Sequence, residues 1–272
     1  MRLVDSHCHL NADRFDADVD LVLGGARLAG VERLLVPGWN VASSERALRL
    51  VARWSWLDAA VGVHPHDASK VDDDGWLRIV ELAGDDRVVA IGETGLDFDR
   101  LFSPVDDQVR NLHRNLDLSL VTGKPAILHC RSRAGSRDAQ DALVKALRDH
   151  GFDGDAAQIA FGDRPAAIIH SYSGPVDYGR EVVAMGLAIS FSGLAFRTGE
   201  ETSAEVAALV PADRLLVETD SPFLAPPGVP RSRNEPAHVA ITAAWLGERR
   251  STASDELGDQ LIAAYDVVFR GG

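Results

Sequence analysis

Eight short apolar segments recur along the chain, and they constrain the fold more than any other feature. Each contains two to four residues without polar alternation and stops at polar residues, glycine or proline. Continuous apolar runs of this kind are typical of strands that are buried on both faces of a parallel sheet. The segments are Leu3–Val4, Leu34–Val36, Ala59–Val61, Val88–Ile91, Ala126–Leu128, Ala167–Ile169, Leu187–Ile189 and Leu215–Val217.

Segments with helical periodicity lie between these runs. After the first run, Val19, Val22, Leu23 and Ala26 share one helix face, and Gly30 ends the pattern. Ser103 as N-cap and Pro104 at the first helical position predict the start of a helix that closes at Gly123. Further helices are predicted at about 41–54, 74–84, 138–150, 175–186, 201–210, 235–247 and 254–269. Residues 151–165 and 221–236 are predicted to be long loops.

Alternation of eight strands with helices predicts an α/β fold, a single TIM-type (β/α)8 barrel. No linker or change of composition divides the chain, so one domain is predicted over 1–272. Barrel enzymes place their active sites at the C-terminal ends of the strands. Reactive side chains are therefore expected directly after the apolar runs.

Composition limits the classes of function. The chain has 28 basic and 41 acidic side chains, and a net charge of -13 argues against a broad nucleic-acid footprint. A small pocket that draws its positive charge from metal ions remains compatible with that balance. No apolar run approaches the roughly 18 residues that span a bilayer, and two cysteines cannot form a disulfide framework. We expect a cytoplasmic monomer without a membrane segment or an obligate protein partner.

Histidines and carboxylates follow five of the apolar runs. Because alternate residues of a strand point the same way, His7 and His9 can bind one ion together. Glu93 has two oxygens with which to bridge two ions, and four imidazoles with two carboxylates suit Zn, Mn, Co or Ni, with Mg less natural. The predicted metal ligands are His7, His9, Glu93, His129, His170 and Asp220.

Paired divalent ions suggest hydrolysis at phosphorus, since they activate a water molecule and stabilise the attacking and leaving oxygens. Asp220 is the predicted proton acceptor, and Glu93 the bridging carboxylate of the catalytic pair. Glu218 either orients a ligand or forms an ion pair inside the barrel. Two ions are expected, within a range of one to three, and Mg, Mn and Zn are not distinguished.

Other polar residues of these loops are predicted to contact the substrate. His64 is expected in the pocket and His66 at its rim, while Arg131, Arg231 and Arg233 can hold phosphate or form ordinary surface pairs. The remaining histidines, His113, His150 and His238, are predicted to be structural, and Cys8 and Cys130 to be packed thiols.

These motifs, in this order, resemble the TatD family of metal-dependent deoxyribonucleases. The matching segments are DSHCHLN (5–11), GVHPH (62–66), GETGLDF (92–98), ILHCR (127–131), IIHSYSG (168–174), ISFSG (189–193), LLVETDSPFLAP (215–226) and RNEP (233–236). The resemblance implies a barrel with a divalent metal centre that hydrolyses DNA phosphodiester bonds, often as a 3′-to-5′ exonuclease. It implies the same six ligands that position alone predicts.

The chain departs from the usual family pattern in two places near the predicted site. In the motif IIHSYSG (168–174), Tyr172 stands where the family commonly has phenylalanine, and it is predicted to contact substrate. Residues 151–165 are the expected insertion between His129 and His170. With an acidic surface, the substrate is expected to be a DNA end, single-stranded or frayed, bound over a small footprint.

Two other classes of function are compatible with parts of this pattern. Related barrels include lactonases, amidases and deaminases, but many of them bridge their ions with a carboxylated lysine where this chain has Glu93. A structural scaffold normally closes its zinc site with four thiolate or imidazole ligands. The surplus of ligands and the carboxylate base favour an open catalytic centre.

Overall fold

The computed structural model describes residues 1–271 and contains eight parallel strands in one sheet, ordered as in the chain. Gly272, the last residue of the predicted domain span, lies outside the described residues. The strands are β1 (Leu3–Asp5), β2 (Val31–Pro37), β3 (Leu57–Val61), β4 (Val88–Asp97), β5 (Ala126–Arg131), β6 (Ala167–Ile169), β7 (Ala188–Phe191) and β8 (Leu215–Val217). Each strand overlaps one of the eight predicted runs.

Hydrogen bonds between the first and last strands close the sheet into a barrel. The amide of Ser6 donates to the carbonyl of Val217 over 3.0 Å, and the amide of Asp220 donates to the carbonyl of His7 over 2.9 Å. The predicted (β/α)8 barrel is confirmed.

Helices connect successive strands and cover the outside of the barrel. Asp106 and Asp107 lie in the first turn of the longest helix, where acidic side chains interact favourably with the helix dipole. The helices are α1 (Val19–Leu28), α2 (Val41–Arg53), α3 (Asp73–Ala83), α4 (Val105–Thr122), α5 (Asp138–Asp149), α6 (Asp155–Phe161), α7 (Val176–Ala184), α8 (Ser203–Leu209), α9 (Val239–Arg250) and α10 (Ser254–Arg270). None of the helices within residues 1–271 combines the length and the apolar character that crossing a bilayer requires.

Three local predictions are corrected. Residues 151–165 are not all loop, because α6 forms there and packs Phe161 against Phe152 with ring centroids 6.2 Å apart. The helix α4 begins at Val105, one residue later than predicted, since the hydroxyl of Ser103 bonds to the carbonyl of His66 instead of capping the helix.

The strands β4 and β5 also run further than their apolar runs. Glu93 and His129 therefore lie within strands and not directly after them. Backbone pairing depends little on side-chain polarity, and Gly95 pairs with His129 across the two strands. Both polar side chains consequently point from rigid backbone toward the C-terminal end of the barrel.

Candidate metal centre

Four side-chain atoms converge from the segment after β1, from the middle of β4 and from the loop after β8. The Nε2 atoms of His7 and His9 are 3.2 Å apart, and each lies 3.3–3.4 Å from Oε2 of Glu93. Oδ1 of Asp220 is 3.6 Å from His7 Nε2 and 3.3 Å from His9 Nε2. Ligands of a tetrahedral ion with bonds of about 2.1 Å are about 3.4 Å apart. In the first cluster, His7, His9, Glu93 and Asp220, the distance between the histidines and those from each histidine to the carboxylates are close to that spacing.

Backbone pairing on both sides fixes the first cluster. The segment after β1 continues as an extended chain, with Cys8 N bonded to Leu35 O on one side and His9 N bonded to Ser221 O on the other. Both histidines therefore point the same way, as their spacing predicts, and the Cys8 thiol lies 3.0 Å from the Ser221 hydroxyl. Asp5 accepts hydrogen bonds from Thr219 N and Oγ1 and so ties β1 to the loop that carries Asp220.

A second group of imidazoles surrounds the other oxygen of Glu93. Oε1 of Glu93 lies 2.9 Å from His170 Nε2, 3.3 Å from His129 Nδ1 and 3.3 Å from His64 Nε2. Here Glu93, His129, His170 and His64 are called the second cluster. Glu93 thus faces one cluster with each oxygen, which is the arrangement that a bridging carboxylate requires.

Electrostatics keep Glu93 ionised despite its burial. Burial by itself raises the pKa of this carboxyl group, but the neighbouring His170, His64 and His7 outweigh it and hold the pKa well below its usual range. The same contacts act on the histidines in opposite directions. Burial lowers the pKa of His64 to about 4, whereas hydrogen bonds to Asp220 and Glu93 overcome burial and raise the pKa of His9 to about 9.

Glu218 orients a ligand of the second cluster. Its Oε1 lies 3.1 Å from His170 Nδ1, which leaves Nε2 of that ring directed at Glu93. The hydroxyl groups of Ser171 and Ser190 donate to the Glu218 carboxylate. Burial raises the pKa of Glu218, but His170 overcomes this effect and lowers it. Of the two alternatives for Glu218, the contacts match the ligand-orienting one.

Asp97 has the same relation to His129, and sequence reasoning did not identify it. Its Oδ2 lies 3.3 Å from His129 Nε2 and 2.7 Å from His66 Nε2, while Oδ1 accepts amide hydrogen bonds from Asp99 and Arg100. Burial raises its pKa, but hydrogen bonds from both histidines lower it well below the usual range. Asp97 lies four residues after Glu93. The alternation of side chains along a strand, which was used for His7 and His9, could therefore have indicated Asp97.

The donor set fits divalent ions. Two buried imidazole nitrogens that face each other at 3.2 Å beside two carboxylates need a cation or a shared proton between them. The opposite nitrogens, Nδ1 of His7 and Nδ1 of His9, are buried without a hydrogen-bond partner among the described residues. Among the described residues, each ring therefore has polar partners only at Nε2, and this atom points into the cluster. Nitrogen and carboxylate donors of this kind suit Zn, Mn, Co and Ni.

A cavity of about 660 Å³ opens above both clusters. Of the predicted substrate contacts, His64, His66, Arg131 and Arg231 line it. Arg131 is also 3.6 Å from the Asp97 carboxylate, so its guanidinium is held at the cavity wall.

Two predicted substrate contacts lie elsewhere. Tyr172 is buried, stacks on Tyr178 at 5.8 Å and donates its hydroxyl proton to the carbonyl of Pro175. Arg233 forms a bidentate ion pair with Asp18. Both expectations are therefore corrected: the phenol satisfies its hydroxyl inside the core, and the guanidinium anchors the loop after β8 to the start of α1.

Several cavity residues were missed by sequence reasoning, and among them Phe223 lies within a recognised motif, residues 215–226. They are cationic or aromatic residues scattered over separate loops, and no spacing pattern links them. The missed residues that line the cavity include Arg14, Trp39, Arg100, Phe102, Arg197 and Phe223.

The other histidines lie away from the clusters, as predicted. His113 Nδ1 is 2.7 Å from His150 Nε2, and His150 Nδ1 pairs with Asp117 at 3.0 Å, so this group joins α4 to the end of α5. His238 accepts a hydrogen bond from the Glu235 amide in the turn before α9.

The barrel and the histidine–carboxylate centre at the C-terminal ends of its strands define a metal-dependent hydrolase. The family model for "TatD related DNase" matches residues 4–270. The chain therefore belongs to the TatD family, and the sequence-based identification and the predicted enzyme class, a hydrolytic nuclease, are confirmed.

Individual relatives agree with this assignment. The chain is 37% identical to the 3′-5′ ssDNA/RNA exonuclease TatD of Cronobacter sakazakii over 90% of this chain and 91% of that protein. It is 32% identical to the uncharacterized metal-dependent hydrolase YabD of Bacillus subtilis, over 98% and 99% of the two chains. The crystal structure of YjjV, a TatD homologue of Escherichia coli, superposes with a TM-score of 0.85 at 28% identity and covers 98% of each chain.

Proposed function

We propose that this protein is a divalent-metal-dependent exonuclease that removes nucleotides from the 3′ end of single-stranded DNA or of frayed duplex. The observation that carries the proposal is Glu93, whose two carboxylate oxygens face two separate groups of imidazoles at 2.9–3.4 Å. The activity printed in the names of several relatives at 34–37% identity supports the same polarity and substrate class.

Two divalent ions are proposed, one in each cluster. His7, His9 and Asp220 would hold the first ion, His129 and His170 the second, and Glu93 would contact both. Such ions lower the pKa of a bound water and stabilise charge on the reacting phosphate. His64 is kept as a pocket residue beside the second cluster.

The chain's own residues supply orientation and proton transfer. Asp220 is the proposed proton acceptor, because its carboxylate belongs to the first cluster and also lines the cavity. Glu218 and Asp97 hold His170 and His129 in the orientation that points one ring nitrogen of each toward Glu93.

A ring of arginines explains how an acidic protein can bind DNA at one place. The net charge is -13, yet Arg14, Arg100, Arg131, Arg197 and Arg231 all line the cavity. Guanidinium groups suit phosphate oxygens. Because this positive charge is confined to the cavity, only a few nucleotides near a strand end would be held.

The test is release of nucleotides from internally labelled single-stranded DNA with either a free or a blocked 3′ end. Metal-stripped protein is assayed with Mg, Mn or Zn restored in turn, and Glu93→Ala is the contamination control. We expect stepwise loss from the free 3′ end, no loss from the blocked end and none with the variant. Equal processing of closed circular and linear DNA would contradict the proposal. An RNA strand of the same sequence tests sugar preference.

A second variant tests the role of Asp220. Asp220→Asn keeps an oxygen donor but removes the base, and we expect turnover to fall by about 10²- to 10⁴-fold. Metal analysis should still find the ion of the second cluster. Near-normal rates would assign proton transfer to another group, whereas failure of every metal to support cleavage would favour small esters, lactones or amides as substrates.

Domain organisation, assembly and location complete the proposal. We propose one hydrolase domain over 1–272 that acts as a monomer in the cytoplasm. Two buried free thiols, Cys8 and Cys130, are consistent with a reducing compartment. Light scattering at several protein concentrations tests the monomer.

A further inference from the structure

Two phenylalanines project into the cavity with much of their rings in solvent. Phe102 is 60% exposed and Phe223 is 48% exposed. Single exposed apolar residues are common at protein surfaces. Two exposed aromatic rings in one catalytic cavity, each beside a histidine of the site, are better explained as contacts for a ligand.

Phe223 is held rigidly beside the first cluster. Its amide donates to the carbonyl of Asp220 over 2.9 Å, and its carbonyl accepts from the side chain of Asn234 over 2.7 Å. The ring meets the His9 ring edge to face, with centroids 5.8 Å apart, and Arg14 lies 5.6 Å from the ring centroid. The ring is therefore positioned by the same loop that carries a metal ligand.

Phe102 has the corresponding position beside the second cluster. The next residue, Ser103, donates to the carbonyl of His66 and accepts from the amide of Ser69, each over 3.1 Å, so this loop is tied to the loop after β3. The Phe102 ring meets the His66 ring edge to face at 4.7 Å. His66 in turn is hydrogen-bonded to Asp97.

We propose that Phe102 and Phe223 stack on the two nucleobases that flank the scissile phosphate. Phe223 would contact the base on the side of the first cluster, and Phe102 the base on the side of the second. Stacking on aromatic rings tolerates every base, and the neighbouring arginines suit the phosphates between them. Paired bases in a duplex offer no free face, so this contact also accounts for the proposed preference for single strands. The inference rests on the proposed nuclease function.

The experiment combines ring removal with base removal. Phe102→Ala and Phe223→Ala are assayed on a short single strand and on strands with an abasic site at the 3′-terminal or the penultimate position. Each variant should raise KM for the natural strand by about 5- to 150-fold, the range for loss of one stacked base. The ratio of the variant's KM to the wild-type KM should shrink toward one when the strand lacks the base that would stack on the removed ring. Phe102→Trp and Phe223→Trp should restore a KM close to that of the wild type.

Leu28→Ala is the matched control. This side chain is also apolar and exposed, but it lies at the end of α1 that leads into the N-terminal end of β2, opposite the cavity. It should leave KM unchanged on every strand. Equal loss by a phenylalanine variant on natural and abasic strands would overturn the stacking inference.

Binding separates this inference from the nuclease proposal. The same combinations of phenylalanine variant and natural or abasic strand are compared by their dissociation constants. These are measured with fluorescently labelled strands in an Asp220→Asn background. Coupling between a ring and a base in binding, without cleavage by the wild type, would support the stacking surface and refute the nuclease. Cleavage without any coupling would support the nuclease and refute the stacking surface.

Discussion

Two histidine pairs with the same spacing behave differently in this molecule. His7 and His9 follow β1 in a segment whose backbone is hydrogen-bonded on both sides, and their Nε2 atoms are 3.2 Å apart in one cluster. His64 and His66 flank Pro65, which begins a 3₁₀ turn. Their ring centroids are 4.3 Å apart, yet the Nε2 atoms have different partners: that of His64 faces Glu93, and that of His66 bonds to Asp97. Identical spacing therefore brings both histidines to the same two carboxylates in the first case and to two different carboxylates in the second. Backbone conformation after the first histidine makes the difference.

The pKa of His9 in the first pair and the pKa of His64 in the second pair are shifted in opposite directions. Carboxylate contacts raise the pKa of His9 to about 9 against the effect of burial, whereas burial lowers the pKa of His64 to about 4. Without metal, the first pair holds a proton at neutral pH and His64 does not. Within the first pair the two shifts are opposed, because burial lowers the pKa of His7 while the carboxylates raise that of His9.

The largest expected effect is loss of the first pair. His9→Ala should lower turnover by at least about 10³-fold, because an ion that contributes several kcal/mol to the transition state is no longer held. The double variant His7→Ala/His9→Ala should be no worse than either single variant, since both ligands act as one unit. Metal content and steady-state kinetics measure this. His113→Ala, at the distant α4–α5 contact, is the control, and additive losses would argue against a shared ion.

A smaller effect is expected from Asp97, the carboxylate that bonds to His66 and His129. Asp97→Asn should reduce metal affinity or activity by about 10- to 100-fold, the usual range for residues that orient a metal ligand. Competition with a fluorescent chelator measures the affinity. His66→Ala removes the other partner of Asp97 without touching a proposed ligand, and the comparison fails if it lowers metal affinity as much as Asp97→Asn.

The third prediction uses pH on metal-free protein. A raised pKa means that His9 stabilises the fold fully below its unfolded value of about 6.5 and loses this contribution as pH rises through about 9. We expect the Tm of metal-free protein to fall by a few °C between pH 6.5 and 9.5.

With metal bound, the His9 imidazole is a neutral ligand, so the fall should be absent. Scanning calorimetry with and without metal measures the fall in Tm, and NMR titration of the imidazole groups assigns it to His9. Parallel pH curves for the two forms would contradict the assignment.

The smallest expected effect concerns Pro65, which lies between His64 and His66 in the chain. Pro65→Ala should lower the free energy of unfolding by about 0.4–1 kcal/mol, because the unfolded chain gains conformational freedom. Urea denaturation measures this. Activity should change little if the hydrogen bond from His66 N to His64 Nδ1 maintains the turn. A large loss of activity would show that Pro65 alone sets the His64 position.

Local sequence patterns were sufficient for most of the fold. Each apolar run marks a strand because a barrel strand is buried on both faces, and β6 and β8 match their runs at both ends. The prediction that residues 151–165 are all loop was wrong because it lacked tertiary information. The helix α6 depends on the contact of Phe161 with Phe152, a packing effect that no seven-residue pattern reveals.

Ligands were predictable to the extent that strand ends converge. His7, Glu93 and His170 follow from topology alone, because the C-terminal ends of parallel strands meet at one end of a barrel. Tyr172 and Arg233 failed as predicted substrate contacts, since a side chain's direction depends on neighbours from other elements. The aromatic and cationic cavity wall was missed because its residues come from unrelated loops.

By itself, the sequence determined the barrel, the family and the histidines and carboxylates that meet at the barrel centre, since these depend on hydrophobic periodicity and on residues that follow the apolar runs. Only the tertiary structure decided which nitrogen faces which oxygen. It also decided that Asp97 bonds to both His66 and His129 and that Phe102 and Phe223 are exposed in the cavity. Such contacts join residues far apart in the chain, and their geometry is fixed only when all eight strands have closed.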